Sequence, residues 1–140
     1  MPKPKVTNKI KEAVRKRAKY CCEYCKLLQA FSSATFACEH ILPTILDGTN
    51  DIHNLANACH TCNWSKAKAI NAIDPITKME NPLFNPRKDI WLEHFKWSDN
   101  LLTIIGLTPT GRATISRLKM NRTGLQNIRS VTIGKGHPPD

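Results

Sequence analysis

Apolar residues Ile10, Ala13, Val14 and Ala18 recur at helical spacing, so residues 7–19 predict an amphipathic helix with Thr7 or Asn8 as its N-cap. Residues 34–46 are rich in β-formers and predict a strand that bends at Pro43, followed by the turn cluster Asp47-Gly48-Thr49-Asn50-Asp51. Residues 54–58 lead into a cysteine pair, and Thr61 to Ile73 reads as a helix ending before Pro75. Pro75, Pro82 and Pro86 punctuate an extended connector. Ile90 to Trp97 and Leu101 to Ile105 then read as two strands joined at Ser98-Asp99-Asn100. In the first of these, Trp91, Glu93, Phe95 and Trp97 share a face by strict alternation, and packing into a core is its ordinary use. Thr108-Pro109 opens a further helix through Met120, with proline well placed near its start. The last seven residues, 134–140, read as a disordered tail. The pattern is that of an α+β protein with four parts: a basic helix (1–20), a core (21–74), an extension packed on it (75–133) and the tail.

A chain of 140 residues suggests one domain, and with 41% hydrophobic but only 6% aromatic residues its core is modest. Six cysteines in a chain this short suggest a metal used as a staple. The longest apolar run, Leu101 to Leu107, is broken by Thr103 and Gly106 and falls far below the roughly 20 residues of a membrane span. No apolar region follows the charged N-terminus, so a secretory signal is not expected; the cysteines then read as thiols or ligands, and the protein as cytoplasmic. Charge changes the picture further. The formal net charge is +10, and residues 2–19 hold eight basic side chains against Glu12 alone. Such an imbalance points to a polyanionic partner.

Cys22-Glu23-Tyr24-Cys25 and Cys59-His60-Thr61-Cys62 are two C-x-x-C knuckles separated by 33 residues. Each short turn can present two sulfurs to one ion, so the four suit a tetrahedral structural Zn2+ site. A thiol redox centre would need only one pair and a thioredoxin-like βαβ pattern, which is missing. Cys21 is an alternative ligand to its neighbour, but Cys22 gives the symmetric spacing; Cys38 reads as a bystander.

Between the knuckles lie Glu39-His40 and Asn54-Leu55, and Cys62 is followed by Asn63 and Lys66. A carboxylate beside an imidazole, with carboxamides nearby, can build a metal and general-base site for phosphodiester hydrolysis. Neighbours on a regular strand point to opposite faces, so Glu39 and His40 serve one site only if the strand ends or twists there. Each residue alone has a plainer use. A Glu-His pair is commonly structural, Asn63 is a ready helix N-cap, and Lys66 is an ordinary solvated helix residue.

In combination these residues resemble the HNH endonuclease family, the ββα-metal (His-Me finger) nucleases, in its subgroup with two zinc knuckles. The pattern C-x-x-C, (D/E)-H-I-x-P, G, N-L, C-x-x-C-N-x-x-K is met in order by Cys22, Cys25, Glu39-His40-Ile41-Leu42-Pro43, Gly48, Asn54-Leu55, Cys59, Cys62-Asn63 and Lys66. The resemblance implies a ββα-metal core and a metal-dependent endonuclease acting on nucleic acid, DNA above all, to leave a 3′-hydroxyl and a 5′-phosphate. It implies His40 as general base, Asn54 as the residue that fixes the loop, and Glu39 and Asn63 as ligands of a catalytic Mg2+ or Mn2+. Glu39 is one methylene longer than the commoner Asp, and Asn63 in place of His makes an HNN variant. For phosphate contact the sequence offers Lys3, Lys5 and Lys9 in the basic helix, Lys66, and Arg112 and Arg117 in the extension. A rival class, an inert zinc module that only binds nucleic acid, would keep the cysteines and the charge without needing Glu39, His40, Asn54 and Asn63 together.

Overall fold

Thr7 starts the first helix: its side chain accepts a hydrogen bond from the Ile10 amide at 3.2 Å, and α1 runs Asn8–Arg17. The computed structural model of the protein describes residues 5–139, so Lys3 lies outside the described residues. One stripe of α1 packs inward through Val14, which is fully buried. Arg17 at its C-terminus donates to the carbonyls of Ile52 (2.8 Å) and Leu55 (2.5 Å), tying the helix to the next element.

That element is a hairpin. Strands β1 (Ala37–His40) and β2 (Leu55–Ala58) pair antiparallel from Ala37 opposite Ala58 to His40 opposite Leu55. All four β2 residues are buried, whereas on β1 only Glu39 is. Helix α2 (His60–Lys66) follows at once, with the Cys59 sulfur capping the Cys62 amide. These three elements form the ββα unit.

The helix expected over 61–73 is half right. It stops at Lys66 because Ala67 takes φ 49° and ψ −125°, a conformation that ends the helical ladder. Residues beyond it form β3 (Asn71–Ile73), paired with β4 (Glu80–Pro82) from within the expected connector. Asp74 makes the turn: its carboxylate accepts from the Ile76 amide and the Thr77 hydroxyl.

The expected strand 90–97 also divides. Trp91–His94 is one helical turn, α3, and only Phe95–Trp97 is strand, β5, paired with β6 (Ile104–Gly106). Trp91, Phe95 and Trp97 still cluster, with Trp91 centroids 5.0 Å and 5.6 Å from the other two. Helix α4 (Pro109–Leu118) begins under a Thr108 cap as expected. Gly111 lies there because a Cβ would sit 2.2 Å from the His94 carbonyl oxygen.

A helix not foreseen, α5 (Thr123–Thr132), follows, burying Leu125, Arg129 and Thr132 on one face. In the tail, residues 134–139 are described. His137 is buried, bonded by Nε2 to the Leu101 carbonyl (2.6 Å) and set edge-on to Trp97. Burial pushes its imidazole below the usual histidine range.

The extension shares its core with the ββα unit. Phe84 meets Tyr24 and Phe95 edge-on, at 6.4 Å and 5.3 Å, and the Trp91 indole donates to the Tyr24 carbonyl at 2.9 Å. Arg129 closes the assembly: buried, it donates to the carbonyls of Leu102 (2.9 Å), Met120 (2.7 Å) and Cys25 (3.4 Å) and lies over Trp97. Arg129→Ala should therefore leave several buried carbonyls without a donor and lower stability by about 3 kcal/mol, read as a shifted midpoint in urea unfolding. An unchanged midpoint would show that water replaces the guanidinium at no cost.

Candidate functional site

The two knuckles converge. The sulfurs of Cys22, Cys25, Cys59 and Cys62 lie within 4.8 Å of one another, all four residues are buried, and Cys25 and Cys59 approach to 3.7 Å. Tetrahedral Zn–S bonds of about 2.3 Å set sulfurs roughly 3.8 Å apart, so the cluster has the dimensions and chemistry for zinc. Hydrogen bonds from Cys22, Cys25 and Cys62 hold the Cys59 thiol far below the ordinary range, whereas burial pushes Cys22 up. Arg122 also reaches the Cys59 sulfur at 3.5 Å. The remaining cysteines stand apart from the cluster. Cys21 points its thiol at the Lys19 carbonyl, and Cys38 is half-buried on β1.

Asn54 organises the loop after β1. Its Oδ1 accepts from the Leu42 amide (2.9 Å), and its Nδ2 donates to the carbonyls of Leu42 (3.0 Å) and Thr49 (2.9 Å). The Asn54 carbonyl in turn accepts from Ile41 at 2.9 Å. Gly48 permits this closure, since a Cβ there would lie 1.7 Å from the Leu42 oxygen. The loop so held delivers Asn50 to His40, with Oδ1 2.7 Å from Nε2. His40, half-buried at the end of β1, lies in a cleft of about 490 Å³ whose walls include Lys5, Lys11, Arg15, Thr35 and Cys38.

Glu39 faces the other way. The strand stays regular through His40, so alternation turns Glu39 into the interior, 4% exposed. Its Oε2 accepts from the Tyr24 hydroxyl at 2.7 Å, and Oε1 lies 2.5 Å from the Lys66 ammonium. Burial raises the Glu39 carboxyl, with Lys66 and then Tyr24 drawing it back. Lys66 also donates to the carbonyls of Ile41 (3.1 Å) and His40 (3.4 Å). Asn63, one residue past the zinc knuckle on α2, is half-buried.

The donors assigned to a catalytic divalent ion are of the right type but are not gathered at His40: the regular strand turns Glu39 inward, against Lys66. A carboxylate and a carboxamide are hard oxygen ligands suited to Mg2+ or Mn2+. Glu39 Oε1 is buried and occupied by the Lys66 ammonium, so holding an ion would require Glu39 to leave that pair.

The residues expected to contact phosphate divide. Lys66 is 2% exposed and ion-paired with Glu39. Arg112 grips Asp74 through two bonds of 2.9 Å, which holds that carboxyl far below its usual range. Arg117 is exposed and reaches the Lys66 carbonyl at 3.4 Å. Lys5 lines the His40 cleft, whereas Lys9 is exposed elsewhere on α1. Sequence reasoning passed over Lys11, Arg15 and Asn50; the signal for the first two was their i,i+4 spacing, which puts them on one helix face.

Purified protein should carry about one zinc per chain by elemental analysis. Because such an ion contributes folding energy directly, Cys59→Ser should lower folded yield, and Cys21→Ser and Cys38→Ser should be mild. Zinc-free protein of full stability would contradict the assignment.

No curated protein and no solved structure is significantly similar to the chain. Residues 22–73 match the model of the HNH endonuclease family. The matched stretch spans both knuckles, the β1–β2 hairpin, α2 and β3. Over those residues the chain is therefore similar to HNH endonucleases.

Proposed function

We propose that the protein is a metal-dependent endonuclease that hydrolyses phosphodiester bonds in DNA, with His40 as the general base. The observation that carries this reading is the fixed imidazole: Asn50 Oδ1 stands 2.7 Å from His40 Nε2, on a loop that Asn54 clamps from both sides. With Nε2–H donating to that oxygen, the neutral ring keeps its Nδ1 lone pair for a proton from attacking water. An oriented neutral imidazole is what a base working near pH 7 requires.

On the family's pattern Glu39 and Asn63 would hold a divalent ion, Mg2+ or Mn2+, supplying Lewis-acid polarisation of the scissile phosphate, which requires Glu39 to turn from Lys66 toward the His40 side. Tyr24 and Lys66 orient the Glu39 carboxylate from behind, and Lys66 keeps its charge compensated inside the protein. Lys66 also pins the carbonyls of His40 and Ile41, so the base and the carboxylate are positioned by one buried ammonium.

Plasmid nicking with Mg2+, Mn2+ or no added divalent ion tests the activity. His40→Ala should retain zinc, fold and DNA affinity while cleavage falls by at least about 10²-fold. Asn63→Ala should lose activity that high Mn2+ partly restores. Cleavage by His40→Ala at the wild-type rate would show that another group activates the water; absence of nicking under every metal condition would favour the inert binding module.

A further inference from the structure

The cleft that holds His40 is only half built by the family segment. Its far wall is α1 and the residues before it, outside residues 22–73. Lys5, Lys11 and Arg15 line it together with Thr35, Thr44 and His40, and no carboxylate of the described residues lies on its walls. The other open hollows differ: the one beside Arg117 contains Glu80, and the one beside Lys66 contains Asp89. No acid lines the His40 cleft, whereas one lines each of those two.

The basic residues of α1 are moreover sorted by face. Lys11 and Arg15 are half-buried along the cleft, one helical turn apart. Lys9 and Lys16 are exposed, and at 100° per residue they project from the opposite side. Arg17 is committed to the carbonyls of Ile52 and Leu55. Arg15 has one acidic neighbour, Glu12 at 3.6 Å, a surface pair that Glu12 shares with the Tyr20 hydroxyl. Such a pair contributes little and leaves the guanidinium available.

We infer that Lys11 and Arg15, with Lys5 of the same cleft, form a phosphate track that lays a nucleic-acid strand across His40. Two cations about 6 Å apart along a helix axis match one step between neighbouring phosphates on a strand. The contacts are to the backbone and read no base, so they set where the strand lies and not which sequence is cut. The inference rests on the nuclease reading for the meaning of the cleft, but its test is a binding measurement independent of cleavage.

Two full-length variants of equal charge decide it: Lys11→Gln/Arg15→Gln and Lys9→Gln/Lys16→Gln. Affinity for a duplex DNA oligonucleotide, and for an RNA duplex of the same sequence, is measured by anisotropy across a salt series with divalent metal omitted. Thermal unfolding confirms that both variants fold. The cleft variant should flatten the slope of log affinity against log salt by roughly 1.8, two phosphates at about 0.9 each, on both nucleic acids. The outer-face variant should leave the slope where it is. Equal slopes for the two variants, or a change on DNA without one on RNA, would overturn the track. Either result leaves the His40 chemistry standing. Conversely, wild-type cleavage by His40→Ala would sink the assignment of the base without touching the slopes.

Discussion

Four sulfurs gathered within 4.8 Å in a buried position are the constraint on which the rest of the molecule depends. Thiolates at that spacing would repel one another and be poorly solvated, a cost that Zn2+ would compensate while fixing their directions. The constraint joins distant parts of the chain. Cys22 and Cys25 hold the loop that follows α1, and Cys59 and Cys62 hold the start of α2 directly after β2. Arg122 and Arg129 bring the C-terminal helix region against the same knuckles through the Cys59 sulfur and the Cys25 carbonyl.

From the cluster a line of buried polar contacts runs to the candidate base. Tyr24, enclosed between Cys22 and Cys25, donates to Glu39; Glu39 pairs with Lys66 on α2; and Lys66 grips the carbonyls of His40 and Ile41. A buried ion pair of this kind is a doubtful source of net stability, because desolvation offsets much of the attraction. Its contribution is geometric: it fixes the end of β1 relative to α2, at the place where His40 leaves the strand.

The knuckles and the first strand of the hairpin, within 34–46, were legible because each is local or strongly patterned; β2 was not, since residues 54–58 read only as a lead into the second knuckle. Asn54 closes its loop through Leu42 and Thr49. What stayed hidden was set by tertiary partners. Lys66 and Arg112 read as free cations until the fold placed Glu39 and Asp74 beside them. Asn71–Ile73 carries no helix-breaking residue of its own, and the strand there follows from the left-handed Ala67 and the Asp74 turn. In α3 the Trp91 and Phe95 rings meet at i,i+4 spacing, a helical signal that the alternating aromatics disguised as strand. The third helix of the C-terminal half was missed although Leu125, Arg129 and Thr132 repeat at helical spacing, because a buried arginine breaks the apolar pattern.

The central claim is that the zinc cluster holds the His40 loop in place. Amide hydrogen exchange tests it at Asn57, bonded to Glu23 beside the knuckle, and at Ile41, bonded to the Asn54 carbonyl beside the base. As zinc is withdrawn by graded chelation, protection at both amides should fall together, in proportion to the zinc removed. Full protection at Ile41 in protein stripped of zinc would contradict the account.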